Sequence, residues 1–173
     1  MIFIKLTKSN VDKFFFDTNV LLILFRLDIP ARTNSPDMKR YKNYSRILTR
    51  FLANRIEIVI NEIVISEFYY ASLKFARDIS NFSSIKQFRN SETGVQVIEN
   101  IFSNIKTMLS QFKFLPLNTT GSTLLNMLSV DSLDFNDKLI METCRRNNLV
   151  LVTDDADFKI APVDVLSANR AMF

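Results

Sequence analysis

Two apolar runs of the chain are each followed closely by aspartate. Residues 14–16 are three phenylalanines followed by Asp17, and residues 149–152 are followed by Thr153 and, two positions later, by Asp155. Both runs have the length and composition of a buried strand. In open α/β sheets, ligands bind outside the carboxyl ends of the strands. The sequence therefore predicts two strands that direct carboxylates to one edge of a sheet.

Three further acids belong to predicted helices. Glu67 lies in the helix after the second strand, and Asp134 and Asp137 are three residues apart at the start of a later helix, on one face. Two carboxylates about 4 Å apart repel by roughly 4 kcal/mol at an effective dielectric constant of 20. A divalent cation removes this repulsion, and the water it binds reaches a pKa of about 7 and can attack a phosphodiester. Oxygen ligands suit Mg²⁺ or Mn²⁺, which are the expected cofactors.

Each acid also has an ordinary structural interpretation. Asp17 and the two polar residues after it could form a turn and a helix cap. Asp134 and Asp137 could complement a helix N-terminus, where negative charge stabilises by roughly 0.3–1 kcal/mol. Glu67 could lie at a solvated helix edge, and residues 154–157 could be an acidic turn. The argument for a site therefore depends on the order of the whole set.

The composition excludes several enzyme classes. The chain has no histidine and a single cysteine, Cys144, so it lacks a Ser/His/Asp triad, a Cys/His pair and a zinc site built from histidine or cysteine. Its two glycines are too few for a P-loop or a dinucleotide-binding fingerprint. We expect Cys144 to be a small core residue. Metal chemistry with oxygen ligands remains.

Strands alternate with helices along the 173 residues, which predicts one α/β domain with a mainly parallel central sheet flanked by helices in three layers. Thr18 or Asn19 could cap the first helix. Sixteen phenylalanines predict an aromatic interior. The predicted strands are 13–16, 56–60, 114–117, 149–152 and 163–166, and the predicted helices are 20–27, 61–77, 95–112, 122–128 and 134–147.

The expected location is the cytoplasm. No apolar run approaches the roughly 18 residues of a membrane span, and residues 1–4 are too short for the core of a signal peptide. A lone cysteine fits a reducing compartment. We therefore expect no membrane partner.

Residues 26–55 are strongly basic. They contain eight cationic and two acidic residues, a net charge of +6, against +4 for the whole chain. Tyrosine and phenylalanine interleave with the cations, as in grooves that bind single-stranded nucleic acid. A solvated helix face is the alternative. The candidate RNA-binding residues are Lys39, Arg40, Lys42 and Arg46.

The order of these motifs resembles that of the PIN-domain nucleases, which include VapC-like toxin ribonucleases. The resemblance covers nearly the whole chain: the strand ending in 17–19, the helix with Ser66-Glu67-Phe68, the segment 135–140 and the strand ending in 152–158. It implies a single PIN-like domain over residues 1–173, with an N-terminal extension at 1–12 and a basic insertion at 28–55.

The resemblance also implies roles for individual residues. The four catalytic acids that would bind Mg²⁺ or Mn²⁺ are Asp17, Glu67, Asp137 and Asp155. Asn19 would brace the end of the first strand, and Thr153 would orient the last acid by hydrogen bonding. Asp134 and Asp157 flank matched positions and would be supporting groups or turn acids.

The activity that the resemblance implies is that of a metal-dependent endoribonuclease acting on single-stranded or structured RNA, with toxin of a toxin–antitoxin pair as the leading role. A cognate antitoxin and a homodimer are the partners to consider besides RNA. One alternative is a catalytically silent PIN module that binds nucleic acid or protein, although the chain retains all four acids. A phospho-acceptor domain such as a response regulator is the other, but it would need paired acids after its first strand, where this chain has Asp17 alone.

Overall fold

The computed structural model describes residues 3–5, 12–25, 35–129 and 133–172, with residues 3–5 described by their backbone alone. Within these ranges the strands are β1 Phe3–Lys5, β2 Lys13–Phe16, β3 Glu57–Ile60, β4 Lys113–Phe114, β5 Val150–Val152 and β6 Val165–Ser167. They form one sheet in the order β1-β6-β5-β2-β3-β4. Its neighbouring pairs are parallel, except that the edge strand β1 runs antiparallel to β6.

Helices follow most of the strands. In the described part of the chain they are α1 Thr18–Phe25, α2 Pro36–Ala53, α3 Glu62–Ile79, α4 Ile85–Arg89, α5 Glu92–Gln111, α6 Gly121–Met127 and α7 Phe135–Asn147, with 3₁₀ helices at Ala156–Ile160 and Arg170–Met172. None of the described helices has the length and apolar character that crossing a membrane requires. A mainly parallel sheet flanked by helices confirms the predicted α/β fold class.

The register of the central strands places Asp17 beside Thr153. Phe16 of β2 pairs with Val152 of β5, so the next residue of each strand lies at the same level. The backbone amide of Asp17 donates to the carbonyl oxygen of Val152 over 3.0 Å. Because β3 runs parallel to β2 on its other side, the carboxyl ends of all three strands meet at one edge of the sheet.

A side-chain cap fixes where α3 begins. Asn61 follows β3 directly, and its Oδ1 accepts a hydrogen bond from the Val64 amide at 3.2 Å. Such caps satisfy amides that have no partner within the helix. The helix therefore starts at the sheet edge and carries Glu67 in its second turn.

The first helix begins earlier than predicted. It starts at Thr18 rather than at Val20, so the prediction that Thr18 or Asn19 caps it is wrong. The carbonyl oxygen of Asp17 accepts from the Val20 amide at 3.1 Å, and its carboxylate accepts from the Thr18 amide at 2.6 Å. Asp17 itself therefore ends the strand and opens the helix. Residues 26–27 of the predicted helix lie outside the described residues.

The sequence pattern does not predict β1, α2 or α4. The first of these lies within the predicted extension 1–12 and pairs with β6, and α2 lies within the predicted basic insertion 28–55. The remaining predicted strands and helices are confirmed, with ends that agree within three residues. Two of the three missed elements are very short, and the third, α2, lies in a stretch that was interpreted from its charge.

The core is aromatic, as predicted. Phe14, Phe15 and Phe16 of β2 are all buried. The ring of Phe51 on α2 lies 4.3 Å from that of Phe14, and the ring of Phe112 lies 5.9 Å from that of Phe16. These contacts hold α2 and the end of α5 against the strand that carries Asp17.

Candidate active site

Asp17 is buried at the end of β2, with 5% of its surface exposed. Its Oδ2 accepts a hydrogen bond from the Thr153 hydroxyl at 2.6 Å, and its Oδ1 accepts from the Thr18 amide. Asn19 donates through Nδ2 to Thr153 Oγ1 at 3.2 Å and accepts through Oδ1 from the Asp154 amide at 2.9 Å. These bonds tie the ends of β2 and β5 together and hold the Asp17 carboxylate in one orientation.

Glu67 reaches the same edge of the sheet from α3. Its Oε2 accepts from the Thr18 hydroxyl, and its Oε1 accepts from Asn136 Nδ2 at 2.7 Å. Thr18 follows Asp17 in the chain, and Asn136 precedes Asp137. The two hydrogen bonds therefore join Glu67 to the segments that carry two other acids.

Asp137 is partly buried in the first turn of α7 and forms a capping box with Asp134. The Asp137 amide donates to Asp134 Oδ1 at 2.8 Å, and the Asp134 amide donates to Asp137 Oδ2 at 3.2 Å. Each side chain satisfies an amide that the helix leaves unpaired. The helix-cap interpretation of these acids is therefore correct, and it does not exclude a role in the site.

Asp155 opens the 3₁₀ helix that follows β5. Its amide donates to Thr153 Oγ1 and its Oδ1 accepts from the Asp157 amide, both at 3.0 Å. The Thr153 hydroxyl donates its own proton to Asp17. Thr153 thus orients the carboxylate of the first acid directly, and it contacts Asp155 through the backbone amide.

The acids line one open pocket of about 290 Å³. Its lining includes seven of the predicted site residues, which are Asp17, Asn19, Glu67, Asp134, Asp137, Asp155 and Asp157, together with Thr18 and Leu22. The eighth, Thr153, is buried behind them and bonded to Asp17. The structure therefore brings the predicted acids from four separate segments to one place.

Burial and mutual repulsion shift the acidity of this pocket. The pKa of Asp17 is raised from 3.8 to about 7, chiefly by burial; hydrogen bonds from Thr153 and Thr18 lower it, and the charges of Asp137 and Glu67 raise it. For Asp137, burial is again the main cause, with neighbouring carboxylates, of a pKa raised from 3.8 to about 6. A cation in the pocket would favour the charged form of both groups and oppose these shifts.

The donor set suits a hard divalent cation. Carboxylate oxygens are the ligands that Mg²⁺ and Mn²⁺ prefer. Across the described ranges, no group of three acidic side chains is arranged to hold a metal ion as it stands. Asp137 and Glu67 instead accept hydrogen bonds from neighbouring residues. The pocket fits a cation by chemistry and charge, and binding would exchange some of these hydrogen bonds for ligand bonds.

The predicted RNA-binding residues lie on α2. All four are exposed, namely Lys39, Arg40, Lys42 and Arg46. The Nε atom of Arg40 lies 3.3 Å from Oδ2 of Asp154, the residue between Thr153 and Asp155. One of the four cations is therefore paired with the chain itself, beside the acidic pocket.

The predicted set omits Asn136 and treats Thr18 only as a helix cap, although both hold Glu67. Each is a short polar residue directly beside a predicted acid, and this position is the signal that could have identified it. Their hydrogen bonds to Glu67 cross 49 and 69 positions of the chain. The position beside an acid indicates a role in the site, but local sequence pattern does not show that Glu67 is the partner across such a separation.

Comparison with known families agrees with this geometry. The family model of the PIN domain matches residues 14–163, so the chain belongs to the PIN-domain family. The match includes all four predicted acids and confirms the resemblance seen in the sequence. No curated protein sequence matches the chain.

Two crystal structures show the same fold. A chain from VapBC2 of Rickettsia felis, bound to a DNA fragment from their promoter, is 18% identical with a TM-score of 0.57, over 90% of this chain and 98% of that chain. A chain from DNA-bound VapBC of Salmonella typhimurium is 17% identical with a TM-score of 0.54, over 90% and 97% respectively. At such identities the similarity establishes the fold alone.

Proposed function

We propose that residues 1–173 act as a single PIN domain that cleaves RNA as a metal-dependent endoribonuclease. The observation that carries the proposal is the convergence of Asp17, Glu67, Asp137 and Asp155 on one pocket. Ordinary caps and turns account for each acid separately. They do not explain why four segments deliver carboxylates to the same 290 Å³ despite the repulsion that results.

The four acids are the residues that would hold Mg²⁺ or Mn²⁺. A bound divalent cation supplies water of lowered pKa and stabilises charge on a phosphodiester. The protein supplies orientation, because Thr153 and the Thr18 amide fix both oxygens of Asp17. The Thr18 hydroxyl and Asn136 hold the Glu67 carboxylate at the pocket, where it could position the attacking water.

The basic surface of α2 would hold the RNA. Lys39, Lys42 and Arg46 are exposed, and Arg40 extends from the same helix to Asp154, the neighbour of Asp155. An acidic pocket alone repels a polyanion, so exposed cations nearby would offset that repulsion. These cations would therefore bind single-stranded or structured RNA, and the acids would cleave it.

We further propose that the protein is the toxin of a toxin–antitoxin pair and has a cognate antitoxin as its partner. The fold shared with chains of the two VapBC complexes supports this role. Membership of the PIN-domain family leaves the phospho-acceptor alternative without support. We place the protein in the cytoplasm, where such a partner and RNA would both be available.

A catalytically silent binding module is the second candidate. It is favoured by one observation, which is that Glu67 and Asp137 already accept hydrogen bonds from Asn136 and Asp134. In that case the hydrogen bonds of Glu67 and Asp137 would be the permanent state of the pocket. Activity measurements separate the two candidates.

The test is single-turnover cleavage of a single-stranded RNA by the wild-type protein and Glu67→Gln, each in Mn²⁺ and in EDTA. We expect cleavage by the wild type only with metal, and a rate about 10²–10⁴ lower for Glu67→Gln, because a positioned catalytic group is lost. RNA binding should be retained. Glu99→Gln is the matched control, since Glu99 is an exposed helix residue outside the pocket.

Each contrary result has a definite meaning. RNA binding by the wild type without metal-dependent cleavage of varied RNAs would establish the binding module instead. Equal cleavage by the wild type and Glu67→Gln would remove Glu67 from the catalytic set. A loss of cleavage in Glu99→Gln equal to that in Glu67→Gln would show a general effect of the substitution.

A further inference from the structure

The hydroxyl group of Tyr44 is buried at the junction of three elements. Tyr44 lies on α2 and has no exposed surface. Its hydroxyl lies 2.8 Å from Oδ1 of Asp154 and 3.0 Å from the carbonyl oxygen of Thr153, so its proton can be donated to either. It accepts a hydrogen bond from the Ala168 amide at 3.0 Å. One side chain therefore joins α2 to the carboxyl ends of β5 and β6.

Asp154 is held on both sides. Its Oδ1 accepts from Tyr44, and its Oδ2 lies 3.3 Å from Nε of Arg40, one turn earlier on α2. Its carbonyl oxygen accepts from Asn169 Nδ2 at 2.7 Å. The side chain of Asp154 is 6% exposed, so these contacts replace most of its hydration. A buried carboxylate with two partners on one helix fixes the position of the backbone that carries it.

That backbone carries the two groups on which the acidic pocket depends. Thr153, immediately before Asp154, donates to Asp17, and Asp155, immediately after it, lines the pocket. The Asp154 amide itself donates to Asn19. A shift of Asp154 therefore moves the Thr153 hydroxyl and the Asp155 carboxylate together, relative to Asp17.

We propose that Tyr44 is a positioning residue of the active site: through Asp154 and the Thr153 carbonyl, it holds the segment 153–155 so that Thr153 and Asp155 keep their places beside Asp17. Helix α2 would then bind RNA through its exposed face and position the site through its buried face. Its exposed cations face solvent, while Tyr44 braces the end of β5 from within. The kinetic part of the inference rests on the proposed nuclease function, and the structural part does not.

The central variant is Tyr44→Phe, which removes only the hydroxyl group. Hydrogen–deuterium exchange should become at least about tenfold faster at the amides of Asp154, Asp155 and Asp157, whose acceptors all belong to this segment or contact it. Single-turnover cleavage should fall about 10–100-fold with an unchanged KM for RNA, because small displacements of catalytic groups have effects of this size.

Ile47→Val is the matched control. Ile47 is buried on the same face of α2, one turn after Tyr44, and makes no polar contact with Asp154. It should weaken the packing of α2 while leaving exchange at 154–157 and the cleavage rate at wild-type values. A purely structural role for Tyr44 predicts that both variants behave alike, and that result would overturn the proposal.

A second comparison covers the case in which Tyr44→Phe does not fold. Asp154→Asn keeps an oxygen that can accept from Tyr44, whereas Asp154→Ala removes it. We therefore expect slower exchange and faster cleavage in Asp154→Asn than in Asp154→Ala. Equal exchange at 155–157 in these two variants would overturn the proposal. If the wild type fails to cleave any RNA with metal, the nuclease function is wrong, and the exchange measurements alone decide whether Tyr44 positions the segment.

Discussion

At the scale of single residues, burial and nearby carboxylates disfavour the charged form of Asp17. It is buried, it faces the charges of Asp137 and Glu67, and its pKa rises to about 7. Hydrogen bonds from Thr153 and Thr18 favour its charged form, but they do not outweigh burial. A buried carboxyl group with a strongly raised pKa, whose two oxygens are both held by hydrogen bonds, is typical of a functional site rather than of a stabilising contact.

The pKa of Asp17 gives a signed prediction for the metal-free protein. Between about pH 4 and pH 7 the unfolded chain has lost the Asp17 proton and the folded protein retains it, so stability falls as the pH rises through this window. Asp17→Asn cannot lose a proton and should be the more stable protein at pH 8, by up to about 4 kcal/mol. Near pH 4 the difference should vanish. Urea unfolding in EDTA at both pH values measures it.

Asp12→Asn is the control for this prediction, because Asp12 is exposed and lies outside the pocket. It should show no comparable gain at pH 8. A destabilised Asp17→Asn at pH 8 would mean that the hydrogen bonds of the carboxylate outweigh its repulsion. Cleavage by Asp17→Asn should be abolished in either case, since a ligand oxygen and its charge are lost.

At the scale of elements, local sequence pattern predicts the strands and helices of the site but not the contacts between them. The apolar runs before Asp17 and Thr153 are strands in the structure, and their parallel register brings the two residues side by side. Glu67 could be placed on a helix from sequence, but its bonds to Thr18 and Asn136 could not, because they depend on how helices pack across the sheet edge.

Helix α2 was missed because the charge of its stretch decided how the sequence was interpreted. Its residues are mostly polar, and only Tyr44, Ile47 and Phe51 are buried. These three positions have the i, i+3, i+7 spacing of one helix face, so the helix itself was predictable. The stretch was interpreted from its charge instead, and its buried contact with Asp154 became visible only in three dimensions. Strand β1, which has three residues at the edge of the sheet, was not predicted either.

The exposed face of α2 carries the prediction about RNA. Replacing Lys39, Lys42 and Arg46 with glutamine keeps helix propensity and removes three charges. RNA binding should weaken regardless of sequence, and the slope of log K against log salt should become shallower by up to about 2, because fewer counterions are released. Cleavage at saturating RNA should persist. Arg40 is left in place because it is paired with Asp154.

A variant with Lys74, Lys86 and Lys106 replaced by glutamine is the matched control. These lysines are exposed on α3, α4 and α5, and their loss changes the net charge by the same amount. This control variant should lower RNA affinity less than the α2 variant does, and its salt slope should stay closer to that of the wild type. An unchanged slope in the α2 variant would assign its cations to a solvated face or to an antitoxin interface instead.

At the scale of the whole molecule, charge is unevenly divided. The chain carries +4 overall and +6 within residues 26–55, which leaves −2 for the remainder. Within the basic stretch the structure describes residues 35–55, which include α2. This helix packs against α1, and its Arg40 contacts Asp154, the neighbour of Asp155. Exposed cations thus lie on a helix that contacts the neighbour of a pocket acid, an arrangement that would suit a polyanion cut with the help of a cation.

Metal binding should stabilise the whole fold, because the four acids meet only when β2, β5, α3 and α7 are assembled. At 100 times its dissociation constant, Mg²⁺ or Mn²⁺ should contribute about 2.7 kcal/mol and raise the melting temperature by roughly 5–10 °C. Calorimetry in Mn²⁺ and in EDTA, with ionic strength matched by NaCl, measures the shift.

The double variant Asp17→Asn/Asp155→Asn is the control and should melt at the same temperature with and without metal. Equal melting temperatures for the wild type would show that these carboxylates share no cation, since a ligand of the folded state alone must stabilise it.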